Sequence, residues 1–165
     1  GAENGQLTIM VGGEEGSLQR AMPALNCYAK RIERIGPTGS GQLAKMMNQI
    51  CIAGVVQGLS EALYFGEQAG LDCEAVIRAI SQGAAQSWQM ENRYQTMLAG
   101  DFNFGFAVDW MRKDLGITLT AADAIDVSLP LTTLVDSFYG DVQAMGGGRW
   151  DTSSLIERLR RLDKR

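Results

Sequence analysis

The sequence contains no histidine among its 165 residues. This absence excludes every mechanism that needs an imidazole from the chain, including Ser-His-Asp triads, Cys-His dyads and the common zinc sites. Any general acid–base chemistry must therefore be carried by lysine, aspartate, glutamate, tyrosine or cysteine side chains.

Cysteine is scarce and widely spaced. Cys27, Cys51 and Cys73 are odd in number, lie more than twenty residues apart and form no Cys-x-x-Cys pair. This spacing gives neither a disulfide framework nor a thiolate metal cluster, and it favours a reducing, cytoplasmic compartment. The first residues also lack a basic segment followed by an apolar run. We therefore expect no metal site and no secretory signal.

Positive charge is not in excess, since 15 lysines and arginines face 19 aspartates and glutamates, a net charge of −4. We expect no nucleic acid partner, because phosphate binding requires clustered positive charge. Long uncharged apolar runs are also missing. The most apolar stretch, 42–69, is interrupted by Lys45, Gln57 and Glu61. We therefore expect a central helix buried on several sides and no membrane partner.

The predicted elements change in kind along the chain. The first 36 residues have the pattern of a strand over 6–11, a helix over 14–29 containing Pro23, and a strand over 31–35. Two strands do not form a stable sheet alone, so they must pair with strands outside this chain or pack on the following helices. Beyond Gly41 the pattern is helical. Predicted helices cover 42–69, 73–81, 87–98, 108–124 and 130–145, and a final basic helix begins at the capping-box spacing of Ser154 and Glu157.

Small residues recur every four positions along the predicted helix 42–69, at Gly54, Gly58, Ala62 and Gly66. A glycine costs about 1 kcal/mol relative to alanine within a helix, so the row indicates that another backbone packs closely there. The spacing fits packing within the chain and a seam between subunits equally well.

A glycine-rich turn, Gly36 to Gly41, immediately precedes this helix. Free backbone N–H groups at a helix start, together with the positive end of its dipole, suit an anion such as a carboxylate. One helix face then carries Gly41, Lys45, Asn48 and Gln49. This set suits a substrate with a carboxylate and a hydroxyl or carbonyl group, with Lys45 exchanging a proton with the reacting oxygen. The alternative is a solvated lysine after an ordinary turn.

These residues also form part of a longer pattern. Gly39-x-Gly41-x-x-x-Lys45-x-x-Asn48-Gln49 resembles the catalytic-lysine motif of the β-hydroxyacid dehydrogenase family, which includes 3-hydroxyisobutyrate dehydrogenases and tartronate semialdehyde reductases. Three further segments resemble the family in the same order: 1–13, Phe106-x-x-x-Trp110-Met111-x-Lys113-Asp114-Leu115, and Gly148-x-x-Asp151-x-Ser153. The resemblance implies a mainly α fold like the C-terminal domain of 6-phosphogluconate dehydrogenase, with a long central helix after a short strand–helix–strand remnant. It implies two parts, residues 1–36 ending a Rossmann cofactor domain and 37–165 forming a helical substrate and dimerisation domain.

The resemblance further implies roles for single residues. Lys45 matches the lysine that protonates the carbonyl during reduction, and Asp114 matches an acid of the active site. Asn48 and Gln49 match substrate-orienting residues, Phe106 a pocket aromatic and Lys113 a cofactor contact. Many members have asparagine in place of Gln49 and an aliphatic residue in place of Trp110, which leaves the pocket size and the substrate open. Without the flanking pattern, 113–114 would be a solvated charge pair.

The family's Gly-x-Gly-x-x-Gly turn does not occur in these 165 residues. The resemblance implies that the full-length protein uses NAD or NADP to interconvert a small 2- or 3-hydroxy acid and its carbonyl form. Because the glycine turn is missing, we expect this chain alone to be inactive. It also implies a homodimer or homotetramer formed through the helical domain. Two other functions stay open. The row of small residues would serve a non-catalytic oligomerisation module, and an imine reductase shares the fold but usually carries another residue in place of Lys45.

Overall fold

The computed structural model describes residues 2–162. Residues 1 and 163–165, at the outer ends of the two predicted domains, lie outside the described residues. In chain order the elements are β1 (Leu7–Gly12), α1 (Glu15–Leu25), β2 (Ala29–Gly36), α2 (Ser40–Gln68), α3 (Cys73–Ile80), α4 (Trp88–Ala99), α5 (Val108–Asp123), α6 (Pro130–Ala144), a 3₁₀ turn (Thr152–Ser154) and α7 (Leu155–Leu162). The predicted mainly α class is confirmed.

The chain divides into two compact units, the first ending at Asn48 and the second beginning at Gln49. In the first unit β1 and β2 pair in parallel, in a register that runs from Leu7 opposite Ala29 to Gly12 opposite Gly36. Helix α1 connects them, as a parallel pair requires. It ends earlier than predicted because Ala29 already belongs to β2.

The first unit buries little. No residue of β1 or β2 is buried, although parallel strands usually carry cover on both faces. Within residues 2–48, Leu18 of α1 is the one hydrophobic side chain in the buried class. This unit therefore lacks a sizeable core of its own.

The second unit has a core of two clusters that share the partly buried Trp150. The first cluster joins α2, α5, α6 and α7 through Ala53, Val56, Val108, Met111, Leu115, Val135, Tyr139, Val142 and Leu155. The second joins α2, α3, α4 and α7 through Leu59, Leu63, Cys73, Ile77, Met90, Met97, Phe102 and Ile156. Every helix of this unit therefore contributes an apolar face to one core.

Helix α2 is buried along one side only. Its core side carries Ala53, Val56, Leu59 and Leu63, and a second row remains exposed at Cys51, Val55, Gly58, Ala62 and Phe65. The expectation of burial on several sides is wrong for the described chain, because no other element within residues 2–162 covers the second row. Within the same residues, none of the helices combines the length and the apolar character that a bilayer crossing needs.

Helix ends follow the predicted signals with one exception. Asp72 and Ser87 cap α3 and α4, each accepting from the backbone N–H three residues later at 3.0 Å. Gly100 ends α4 in the left-handed region, with φ 71°. The capping box at Ser154 does not form, since its buried Oγ has no hydrogen-bond partner among the described residues. The chain enters α7 through the 3₁₀ turn instead, where Asp151 accepts from the Ser153 N–H at 3.1 Å.

Candidate active site

The glycine-rich turn before α2 packs on the end of β1 within the first unit. A Cβ on Gly41 would lie 2.5 Å from the Met10 carbonyl oxygen, and one on Gly12 would lie 2.6 Å from the Pro37 carbonyl oxygen. Glycine is required at both positions because the two backbones approach so closely. This packing accounts for Gly41 without a ligand, and its contact with a substrate stays a prediction.

Lys45 and Asn48 lie on the first turns of α2, with exposed side chains. Asn48 follows Lys45 by three residues and Gln49 follows it by four, so the helix places all three on one side. Gln49 begins the second unit, and only 1% of it is exposed. The spacing predicted from the sequence is present, and the chemical roles of Lys45 and Asn48 stay predictions.

Asp114 lies at the centre of a polar cluster in the second unit. Gln49 Nε2 donates to Asp114 Oδ2 at 2.7 Å, and Lys113 Nζ lies 3.2 Å from Asp114 Oδ1. The Asp114 side chain is 16% exposed and that of Lys113 is 57% exposed. One carboxylate oxygen is thus held by a buried amide and the other by an ammonium at the surface. The structure brings together three residues that the sequence predicts for the site.

The exposed side of α5 beside this cluster is aromatic and basic. The Lys113 ammonium lies 5.6 Å from the centroid of the Trp110 indole ring, within the range of a cation–π contact. Trp110 is about half exposed, and Phe106, one turn before it in sequence, is also exposed. A planar aromatic surface therefore adjoins the Lys113–Asp114 pair.

Asp151 is a buried carboxylate whose role the sequence pattern does not reveal. Its Oδ2 accepts from the Phe106 N–H at 2.9 Å, and its Oδ1 accepts from Arg93 Nε at 3.2 Å and Ser153 Oγ at 2.6 Å. A Cβ on Gly105 would overlap the same carboxylate. The Asp151 side chain, 1% exposed, thereby fixes the backbone that carries Phe106.

The segment before the 3₁₀ turn also completes the start of α5, which has no side-chain cap. The Val108 N–H donates to the Trp150 carbonyl and the Asp109 N–H donates to the Gly148 carbonyl, each at 2.9 Å. These bonds satisfy donors that a helix start leaves open. The motif Gly148-x-x-Asp151-x-Ser153 is the sequence signal that could have indicated this role. Its glycine lets the chain approach Asp109 closely, and its aspartate supplies the buried acceptor.

No metal centre accompanies these residues. Among residues 2–162, no group of three or more histidine, cysteine, aspartate or glutamate side chains is arranged to hold a metal ion.

Two family models together match almost the whole chain. Residues 39–159 match the model described as NAD-binding of NADP-dependent 3-hydroxyisobutyrate dehydrogenase. Residues 1–36 match the model described as the NAD binding domain of 6-phosphogluconate dehydrogenase. The two matches meet near the start of α2.

Individual relatives agree with these models. An uncharacterized oxidoreductase of Shewanella frigidimarina is 60% identical over 96% of this chain and 55% of its own length. The 2-hydroxy-3-oxopropionate reductase of Escherichia coli is 36% identical over 96% of this chain and 54% of its own. A structure of Mycobacterium tuberculosis 3-hydroxyisobutyrate dehydrogenase with L-serine has a TM-score of 0.87 and 29% identity over 96% of this chain and 57% of that one.

The fold and the matched sequence place this run of helices, and the β–α–β segment before it, in a family of oxidoreductases. The chain belongs to the β-hydroxyacid dehydrogenase family, whose members use NAD(P), and the predicted resemblance is confirmed. It spans about half the length of the curated relatives that it matches.

Proposed function

We propose that the full-length protein interconverts a small 2- or 3-hydroxy acid and its carbonyl form, using NAD or NADP. The observation that carries this proposal is the Asp114 cluster, in which a buried amide and a surface ammonium hold one carboxylate. The cluster lies within the residues that match the dehydrogenase model. A relative named for reducing 2-hydroxy-3-oxopropionate supports a small substrate that carries carboxylate, hydroxyl and carbonyl groups.

The described residues fit one edge of a nicotinamide dinucleotide. The Lys113 ammonium has three N–H donors, of which one faces Asp114, and it lies beside the exposed Trp110 ring. Its other donors suit the hydroxyl or amide oxygens of a ligand whose planar ring lies against Trp110. The glycine turn that binds a pyrophosphate is not in this sequence. Because that turn is missing, we propose that the main cofactor site lies outside these 165 residues. Lys113 is proposed as a cofactor contact on the ground of its exposed ammonium beside Trp110. When bound, the cofactor supplies or receives the hydride.

Lys45 is the proposed general acid and base. Its ammonium gives a proton to the carbonyl oxygen during reduction, and the resulting amine takes the proton from the alcohol during oxidation. Asn48, on the same side of α2, orients the substrate through its amide, and the backbone N–H of Gly41 is the proposed contact for the substrate carboxylate. Phe106 is proposed as a pocket aromatic, as the family resemblance implies. Lys45 and Asn48 would be solvated surface residues if the protein were not an enzyme.

We propose the domain boundary between residues 36 and 37, with the end of the cofactor domain before it and the substrate domain after it. The change of family model between residues 36 and 39 supports this boundary. The compact units divide later, after Asn48, because the start of α2 packs on β1. The 165-residue chain assayed alone should show negligible dehydrogenase activity and at best weak cofactor binding.

The proposed compartment is the cytoplasm. Cys27, Cys51 and Cys73 are all unpaired thiols, two of them exposed, which supports a reducing environment. Expression of a tagged full-length protein with fractionation of the cells tests this assignment, and recovery from the periplasm or membrane would contradict it.

The decisive experiment compares two lysine variants of the full-length protein. Lys45→Ala should lower turnover of the hydroxy acid by at least about 10²-fold, the range expected for loss of a general acid–base group, and leave cofactor affinity within a factor of two. Lys30→Ala, an exposed lysine of β2, is the matched control and should retain full turnover. Turnover retained by Lys45→Ala would reject the assigned role. An inactive wild-type protein would reject the dehydrogenase proposal.

The second proposal is that the protein self-associates through α2. Self-association is also what the alternative function, a non-catalytic oligomerisation module, would require. The exposed row Cys51, Val55, Gly58, Ala62 and Phe65 repeats at alternating four- and three-residue steps, which is the spacing of a helix seam. The row of small residues predicted from the sequence packs within the chain at its two ends, where Gly54 faces Leu131 and Gly66 faces Cys73. A Cβ on Gly58 would meet no atom within 4 Å.

Size-exclusion chromatography with light scattering, which measures the molar mass of the eluting protein, tests this seam. The wild-type full-length protein should be a dimer or tetramer, and Gly58→Leu should lower the mass by at least half, because a large side chain prevents close helix approach. Gly116→Leu, at an equally open helical glycine of α5, is the control and should keep the wild-type mass. A Gly58→Leu protein of unchanged mass would contradict the seam. A dimeric but inactive wild-type protein would favour the non-catalytic module.

A further inference from the structure

Gln49 is placed unlike a substrate ligand. The residue is 1% exposed, and its amide nitrogen already donates to Asp114 Oδ2 at 2.7 Å. The same nitrogen lies 3.8 Å from the sulfur of Met111, a fully buried core residue. The amide group therefore faces the interior of the second unit, where a substrate has no access.

The Asp114 carboxylate is held from two sides. Oδ2 accepts from the buried Gln49 amide, and Oδ1 pairs with the surface ammonium of Lys113. The backbone under Asp114 is itself fixed in α5, where the Asp114 carbonyl accepts from Thr118 Oγ1 at 2.8 Å. Rotation of the carboxylate would break the contact with Gln49 and the contact with Lys113 together.

We infer that Gln49 is a positioning residue, which sets the orientation of the Asp114 carboxylate and, through it, the place of the Lys113 ammonium. This inference rests on the proposed function, because it assigns catalytic weight to Asp114 and Lys113. It replaces a direct contact between Gln49 and substrate. Length is part of the role, since asparagine is shorter by one carbon–carbon bond, about 1.5 Å, and would not reach Asp114 without a shift of α2 or α5.

A double-mutant cycle in the full-length protein separates the two roles. The variants are Gln49→Met, which keeps the length and removes the N–H donors, Asp114→Asn, and the pair of changes combined. Gln49→Met alone should lower kcat by about tenfold and leave KM within a factor of two. In the Asp114→Asn background the same change should cost less than twofold in kcat, because the group that Gln49 positions is already altered.

Gln57→Met is the matched control, since Gln57 is also a buried glutamine of α2 but donates to Glu61 instead. It should shift the urea midpoint about as much as Gln49→Met does and leave kcat unchanged. Gln49→Asn should resemble Gln49→Met in kcat, because its amide falls short of Asp114.

Equal losses of kcat from Gln49→Met in both backgrounds would overturn the positioning role. A KM raised at least tenfold at constant kcat would also overturn it, in favour of a direct substrate contact. Both results require an active wild-type protein. A wild-type protein without activity on any hydroxy acid would instead overturn the proposed function, and the catalytic role of Gln49 with it.

Discussion

The two units of the chain bury their side chains to very different degrees. In the first unit neither strand has a buried residue, and the apolar positions of β1 stay half-covered. In the second unit, side chains such as Met111, Leu115 and Tyr139 are completely buried. Amphipathic helices can pack their apolar faces on one another and so form a core among themselves. A pair of parallel strands needs other elements to cover both of its faces. The stability of this chain should therefore reside in the second unit.

A pair of equal leucine deletions should include the largest loss of stability. Leu115→Ala, in the centre of the second unit, should lower the free energy of unfolding by about 4 kcal/mol, because removal of a buried leucine leaves a cavity. Leu18→Ala in α1 should cost about 2 kcal/mol, the low end for a buried leucine, because the thin packing around it can collapse. Urea unfolding of the 165-residue chain measures both. Equal losses would show that the first unit has a core as firm as the second.

The polar contacts of the two units should differ in the same direction. Asp151→Asn should cost about 3 kcal/mol in the second unit, because it leaves the guanidinium of Arg93 without its buried partner charge. Glu15→Gln in the first unit removes the ion pair with Arg34, in which both side chains are at least a third exposed, and should cost less than about 0.5 kcal/mol. Thermal unfolding of both variants tests the order, and a larger loss for Glu15→Gln would reverse it.

A glycine pair tests whether the first unit can loosen by itself. Gly12→Ala places a Cβ within 2.9 Å of three backbone atoms around the turn before α2, so the β1 contact must open, at a cost of about 2 kcal/mol. Gly16→Ala in α1 meets only the end of Arg20 and should stabilise slightly, by about 0.5 kcal/mol. Hydrogen exchange should show faster exchange over 7–36 in Gly12→Ala and no change over 108–144. Faster exchange in both regions would mean that the units unfold together.

Thiol reactivity should give the smallest effect and requires no substitution. Burial, aided by the charges of Glu67 and Asp72, raises the pKa of the Cys73 thiol. Its thiolate fraction at pH 8 is therefore lower than that of an ordinary cysteine, and it should react at least tenfold more slowly than the exposed Cys27 and Cys51. Mass spectrometry after timed alkylation reads all three sites. The difference should vanish in urea, and rapid labelling of Cys73 without urea would contradict its burial.

Much of the fold could be predicted because its signals are local. Asp72, Ser87 and Gly100 mark helix ends through bonds within a few residues, and the structure has those ends. The strand over 6–11 was predictable from its β-branched, apolar run before two glycines, and the helix from 42 from a long, proline-free apolar stretch. Ser154 misled because its spacing fits a capping box, while the chain enters α7 through a 3₁₀ turn held by Asp151.

The candidate site was predictable only in part. The spacing of Lys45, Asn48 and Gln49 fixes their side of α2, and the motif pattern marks Lys113 and Asp114. It does not reveal that Gln49 reaches Asp114 across 65 residues of chain, or that Asp151 holds the backbone of Phe106 across 45. These contacts join different helices, and periodicity carries no information on which helices become neighbours.

The amino-acid sequence by itself determined the class of this protein, its run of helices, the lack of histidine in these 165 residues and the residues that match the dehydrogenase pattern. The class follows from the resemblance of the motifs to a known family. The helices and the lack of histidine follow from short-range spacing and composition, which the linear chain contains in full. The tertiary structure alone decided that Gln49 is buried against Asp114, that one row of α2 stays exposed, and that the strand pair lacks a core. Those outcomes depend on which distant segments pack against each other in the core, and short-range sequence patterns carry no information on that packing.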